Sequence, residues 1–290
     1  MERILFLQGG LGEEIRSSLS KAPSFSDARF FSELDLAFSV SENTIMRQET
    51  KRRGEGWFAL LVTLSVLLYS VPQDEAWFVK KRQAMVDEQL KARDITDPRV
   101  LDVMGKVPRH EFIEPGLRQE AYEDYPLPIE EGQTISQPYI VALMTQSLKL
   151  KGKEKVLEVG TGSGYQAAVL AKLTANVYSI EINEPLTRKA SALLRRLGYA
   201  NIEVKCGDGY FGWPEQAPFD GIIVTCAASR IPDPLFEQLK EGGRLIIPVG
   251  DAGDVQTLTL VSKIKGKPKI EHITPVLFVP MTGENLKKKK

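Results

Sequence analysis

The sequence predicts an α/β fold, a doubly wound and mainly parallel sheet preceded by an N-terminal helical cap. Three observations carry that reading. After Lys155, short apolar runs alternate with helix-length segments, the pattern of parallel βαβ units wound right-handed and covered on both faces. The run Val156-Leu157-Glu158-Val159-Gly160-Thr161-Gly162-Ser163-Gly164 joins a strand to a glycine turn and to a helix beginning near Tyr165. Before it, from Trp77 to about Val107, apolar residues recur at helical spacing, and a proline-rich link follows.

Composition bounds the partners. The chain has 290 residues, 42% of them hydrophobic, enough for a conventional core in one large domain or two modest ones. Lysine plus arginine equals aspartate plus glutamate at 38 each, so no long-range field favours nucleic acid or an anionic membrane. Two cysteines and two histidines cannot supply a usual four-ligand zinc site, and no metal is expected. Cys206 and Cys226 each end a β-like run, where a small buried thiol beside the sheet is the expectation.

In chain order, residues 1–45 show no sustained period and stay unassigned, either disordered or not translated. Met46, the basic cluster Lys51-Arg52-Arg53 and an uncharged apolar run from Trp57 to Val71, closed by Pro72, have the order of a secretory signal. That run of 15 residues is shorter than the roughly 20 needed to span a bilayer. Segment 46–76 therefore reads as signal-like, as an anchor, or as an apolar helix packed on the domain, and 57–71 is the only stretch suited to membrane contact.

Phe78, Met85, Val86, Leu90, Val100, Leu101, Val103 and Met104 mark the helical cap, with a helix start at Asp97-Pro98. Pro108, Pro115, Pro126 and Pro128 lead to Gln133-Thr134-Ile135-Ser136-Gln137-Pro138 and a helix starting near Tyr139. Strands are predicted at 156–159, 176–182, 202–206, 220–225 and 244–249, with helices at 165–173, 184–198 and 233–240. Segments 256–264 and 270–279 are β-rich, no internal repeat is evident, and Lys287 to Lys290 reads as a solvated tail.

The glycines let the backbone bend at positive φ and let a ligand approach where a Cβ would collide. Glu181, 21 residues after Gly160, stands where a ribose-binding acid belongs, and this much also fits a dehydrogenase. Two features separate the alternatives. Glu158, inside the strand, suits a cationic ligand, and Asp208 in Gly207-Asp208-Gly209 can reach an adenine amino group. S-adenosylmethionine, with its ammonium and sulfonium, fits both. The candidate donor-binding set is Glu158, Gly160, Gly162, Ser163, Gly164, Glu181, Asp208 and Gly209 on a Rossmann-like methyltransferase sheet. The bland alternative is that each acid caps the next helix or faces water.

From about Met85 to Gly283 the chain resembles the protein-L-isoaspartate O-methyltransferase family. The matching stretches are VPRHEFIEP from Val107, AYEDYPLPIEEGQTISQPYIVALM from Ala121 and VLEVGTGSGYQAAVLAKL from Val156. To these are added GDGYFGWPEQAPFDGIIVTCAA from Gly207, IPDPLFEQLKEGGRLIIPVG from Ile231 and VLFVPMTG from Val276. A general methyltransferase would match only the segments at Gly160 and Asp208.

The resemblance implies that Ser136 holds the active-site position, in a substrate loop with Gln133, Thr134 and Ile135. Read from the residues alone, that loop can offer donors ahead of a helix N-terminus that attracts a substrate carboxylate, or Ser136 can simply be the helix N-cap. The implied reaction is methyl transfer from S-adenosylmethionine to the free carboxylate of L-isoaspartyl or D-aspartyl residues in damaged proteins. On this reading 77–135 is cap and substrate loop, 136–290 binds the donor, and the enzyme is a cytoplasmic monomer, since the donor is cytosolic. Export or anchoring through 46–76 is the alternative location. The competing functions are a methyltransferase acting on a small molecule and a non-catalytic, membrane-tethered binding module.

A serine hydrolase is excluded because no GxSxG elbow surrounds Ser136. His110, packed or solvent-facing, and His272, solvent-facing, receive no role. The chain departs from the family in its first 76 residues and at Cys226, where alanine is common.

Overall fold

The computed structural model describes residues 73–251 and 253–283. The expectations for 1–45, for the apolar run 57–71 and for the terminal lysines lie outside the described residues. Among the described residues, no helix is long and apolar enough to cross a membrane.

Central strand β3 (Lys155–Val159) is buried from Val156 onward, so it needs neighbours on both edges and cover on both faces. It pairs in parallel with β4 (Asn176–Glu181) and with β6 (Phe219–Val224). Outside β4 lies β5 (Ile202–Cys206), and outside β6 lies β7 (Leu239–Val249), both parallel to their neighbours. The seven-stranded order is β5-β4-β3-β6-β7, followed by β8 (Gln256–Ile264) and β9 (Lys267–Val276). The chain runs outward from β3 to β5 and then returns to the other side of β3. That reversal opens a crevice between the carboxyl ends of β3 and β6.

Successive residues along each central strand serve opposite faces. Val156, Ile223 and Ile246 join the core beneath the cap, while Leu157, Ile222 and Leu245 join the core on the far face. Between strands run α4 (Tyr165–Ala171) and α5 (Glu184–Arg196). Asn183 caps α5, its side chain accepting from the Leu186 N–H at 3.3 Å, and Pro185 fills a first-turn position needing no donor.

The sheet ends in two antiparallel strands, and two expected spans need correction. β8 runs antiparallel to β7, and β9 runs antiparallel to β8 because the two are joined by the two residues Lys265-Gly266, with φ of 51° and 71°. So short a turn can only return the chain alongside itself. The helix expected over 233–240 is α6 (Asp233–Glu237), because β7 already begins at Leu239. The final strand spans 267–276 rather than 270–279.

The cap contains α1 (Gln73–Ala84), a π-helical turn Met85–Leu90, and α2 (Pro98–Met104), capped by Asp97 through the Arg99 N–H at 2.9 Å. The two-stranded ribbon β1 (Leu127–Pro128) and β2 (Thr134–Ile135) then leads into α3 (Pro138–Ser147). His110 fastens α1 to this layer. Buried, it stacks on Phe78 with ring centroids 3.9 Å apart and meets the Tyr122 hydroxyl at 2.7 Å. Desolvation by burial holds its pKa below the usual imidazole value, so it is a packing residue, while His272 is exposed. Arg109 is also buried, donating to Ala121 O at 2.7 Å with its guanidinium over the Tyr165 ring.

Candidate active site

The site grows from the glycine turn. Gly160 has φ of 97°, and a Cβ there would lie 2.4 Å from Thr225 Oγ1, so only glycine lets β3 and β6 close this tightly. Thr225 in turn donates its hydroxyl to Gly160 O at 2.6 Å. Gly162 has φ of 52° and aims its N–H at Glu181 Oε2, 2.9 Å away, while Glu181 Oε1 accepts from the Asn183 N–H at 2.9 Å. Both carboxylate oxygens are thus fixed at the end of β4, each with acceptor capacity left over.

Below the turn, Thr161 Oγ1 and Ser179 Oγ are 2.6 Å apart, and Ser179 donates to Glu158 Oε2 at 2.5 Å. Glu158 is fully buried, and burial pushes its carboxyl up to about 8. The structure does not bring it to a cavity wall. A carboxyl kept protonated by its surroundings also supplies little negative charge for a cation. Its cross-strand partner Ser179 makes it a brace beneath the turn.

One cleft lies over the carboxyl edge of the sheet, about 190 Å³ in volume. Gly160, Gly162, Glu181, Gly209, Thr225 and Cys226 line it, and Gln133 and Thr134 face them from the loop. Asn183 lies beside Glu181 in the lining, and a further wall is the segment 279–282. It is held by Ala227, whose N–H donates to Val279 O at 2.8 Å and whose carbonyl accepts from Met281 N at 2.7 Å.

A second, larger cleft of about 780 Å³ contains Ser136 and shares Thr134, Val279 and Pro280 with the first. A narrow gap of about 30 Å³ also places Ser136 with Gly160, Gly162, Ser163 and Thr225. Ser136 is not the cap of α3. That position is Gln137, which makes no side-chain cap bond and donates instead to Asp124 O at 2.8 Å. Ile135 is buried in the same narrow gap.

The other sequence-derived residues divide. Gly164, φ 88°, packs against Leu194 and Ala190 of α5 and does not line the first cleft. Ser163 lies at the narrow gap, where its hydroxyl accepts from the Tyr165 N–H at 3.3 Å. Asp208 stands behind Gly209, its Oδ1 accepting from the Tyr210 N–H at 2.9 Å, and its carboxylate packs where a Cβ on Gly283 would fall. The capping role weighed against ligand contact is therefore present at Asp208.

Cys206 is exposed, against expectation, because β5 is an edge strand. Half-buried Cys226 lines the first cleft, its thiol pushed up to about 12 by burial and the nearby carboxylates of Glu181 and Asp208. It is not a thiolate nucleophile at neutral pH. Among the described residues, no group of three or more His, Cys, Asp or Glu could hold a metal ion.

Sequence reasoning missed Thr225, Asn183 and the wall at 279–282. Thr225 ends one predicted strand and Asn183 directly follows another, which was an available signal. The wall lies within the matching stretch VLFVPMTG, but its place at the cleft could not be read locally, since an isolated bridge, Ala227 to Pro280, ties it to the sheet.

Comparison with known proteins converges on one family. The Protein-L-isoaspartate(D-aspartate) O-methyltransferase family profile matches residues 80–286. A protein-L-isoaspartate O-methyltransferase of Opitutus terrae is 59% identical over 204 residues, covering 70% of this chain and 88% of its own. A second, from Shewanella sediminis, is 55% identical over 214 residues, 74% of this chain and 88% of its own. Among solved structures, a protein-L-isoaspartate O-methyltransferase superposes with a TM-score of 0.64 at 31% identity, over 71% of this chain and 67% of its own. A Plasmodium falciparum protein so described, solved with S-adenosyl-L-homocysteine, gives a TM-score of 0.61 at 27% identity, over 69% and 98%. With the glycine turn, the GQTIS loop and the closing segment all inside the matched region, the chain belongs to the protein-L-isoaspartate O-methyltransferase family.

Proposed function

We propose that this chain methylates the free carboxylate of L-isoaspartyl and D-aspartyl residues in damaged proteins. The observation that carries the reading is the position of Ser136, in the gap where the glycine-turn cleft meets the larger cleft. One side is built for a donor and the other is wide enough for a polypeptide.

The residues of the first cleft fit S-adenosylmethionine. Gly160, Gly162 and Gly209 leave room for close approach, and Glu181 offers its spare lone pairs to ribose hydroxyls. When bound, this donor supplies an electrophilic methyl whose transfer to a carboxylate leaves an ester and S-adenosylhomocysteine, and the ester closes, with loss of methanol, to a succinimide that water then opens in part to normal aspartate. A carboxylate is ionised at neutral pH, so no general base is needed. The protein's task is orientation. The Ser136 hydroxyl holds the acceptor carboxylate, and Thr134 stands at the boundary of both clefts. The segment 279–282 limits water on the remaining side. A cytoplasmic location accords with the cytosolic supply of the donor.

The test is direct. The full chain, incubated with labelled S-adenosylmethionine and an isoaspartyl peptide, should give base-labile methyl incorporation. Absence of transfer, or equal transfer to the matching normal aspartyl peptide, would sink the reading.

A further inference from the structure

The cleft that holds Ser136 carries an apolar feature that methyl transfer itself does not require. Leu277 and Val255 are 73% and 65% exposed, more than any other large hydrophobic among the described residues, and both line this cleft. Pro126, Ile140 and Phe278 continue the apolar surface, and none of the residues lining the cleft is charged. Exposed apolar side chains gathered in one cleft, rather than scattered singly, mark a binding surface.

These two side chains are displayed on a braced frame. Buried Gln256 accepts from the Phe278 N–H at 2.8 Å and donates to Asp251 O and Asp254 O at 3.1 and 2.7 Å. It therefore ties the residue following Leu277 to the turn preceding Val255. Val276, next to Leu277, is itself buried and paired with Gln256 at the end of β9. A backbone braced in this way can discriminate between side chains, because it need not be reordered on binding.

We propose that Leu277 and Val255 form an apolar subsite that selects damaged polypeptides carrying an apolar residue next to the isoaspartate. The inference rests on the carboxyl-methylation reading and adds the class of substrate sequence. The occupant is a polypeptide, because the cleft is continuous with the gap at Ser136 where the acceptor carboxylate must sit. Apolar neighbours are favoured over charged ones because Leu277, Val255 and the apolar residues beside them offer no side-chain partner to offset desolvation of a charge.

The experiment uses the full chain and isoaspartyl peptides with leucine, glycine or glutamate placed before or after the damaged residue. Leucine on at least one side should lower KM about tenfold relative to glycine with kcat little changed, and glutamate should raise it. In Leu277→Ser and Val255→Ser the leucine-to-glycine ratio should fall toward one, and Leu277→Met should restore it. Titration with S-adenosylhomocysteine reports that each variant is folded. The subsite is overturned if leucine and glycine peptides have equal KM, or if the ratio survives in both serine variants. If no isoaspartyl peptide is methylated at all, the underlying reading fails, an outcome distinct from methylation indifferent to the neighbour.

Discussion

Glu158 illustrates what a strand pattern reveals about a residue and what it hides. Its position two residues before the turn was legible, but periodicity gives a face and not a depth. Only the register, with Ser179 directly opposite, shows the carboxyl to be buried. Burial raises its pKa to about 8 from 4.5, so the folded state keeps a proton that the unfolded chain releases. Stability from this group is complete below about pH 4.5 and is lost as pH rises through about 8. Glu158→Gln should therefore melt increasingly above the wild type between pH 6.5 and 9, by a few degrees at the upper end. A difference independent of pH would mean that the carboxyl does not titrate there. Ser136 yields the complementary prediction. Loss of one hydrogen bond to a charged group is worth about 1.5–3 kcal/mol, so Ser136→Ala should lower turnover of isoaspartyl peptide roughly 10- to 100-fold. S-adenosylhomocysteine affinity, measured by calorimetry, should stay within about twofold.

Most elements were legible because each announces itself locally. Asn183-Glu184-Pro185 starts α5, and Asp97-Pro98 starts α2. Pairing was less legible, and the strand order could not be read at all, since order depends on which edge each crossover reaches. The ribbon loop between β1 and β2 shows how such long-range placement matters. Lys189 of α5 reaches Glu130 at 2.8 Å and also pairs with Glu114, while Asn183 Nδ2 donates to Glu131 Oε2 at 3.2 Å. These contacts hold the loop bearing Gln133 and Thr134 over the first cleft. The ion pairs are half-exposed and individually weak, so Lys189→Ala should cost only about two- to fivefold in S-adenosylhomocysteine affinity at low salt. That loss should shrink above roughly 0.5 M salt, where the wild-type pair is already screened. An undiminished loss at high salt would point to packing of the lysine stem instead.

At the scale of the molecule, the first cleft is assembled from the ends of β3, β4 and β6, a loop before α3 and a segment beyond β9. Its walls therefore span Gln133 to Thr282, nearly the whole of the sheet and its connections. A ligand that touches all of these binds only the native arrangement, so its binding free energy adds to global stability. S-adenosylhomocysteine at about a hundred times its Kd should contribute about 2.7 kcal/mol, a rise in Tm of roughly 5–10 °C for a domain of this size. The shift should depend on the approach of β3 to β6. Gly160→Ala places a Cβ at positive φ and 2.4 Å from Thr225 Oγ1, forcing the two strand ends apart at the switch point. That variant should melt lower without ligand and lose most of the ligand-induced shift, whereas Ser136→Ala should keep it in full, because the serine lines the second cleft and not the first. A full shift in Gly160→Ala would show that the donor is held elsewhere along the sheet edge, and a lost shift in Ser136→Ala would merge the two clefts into one site.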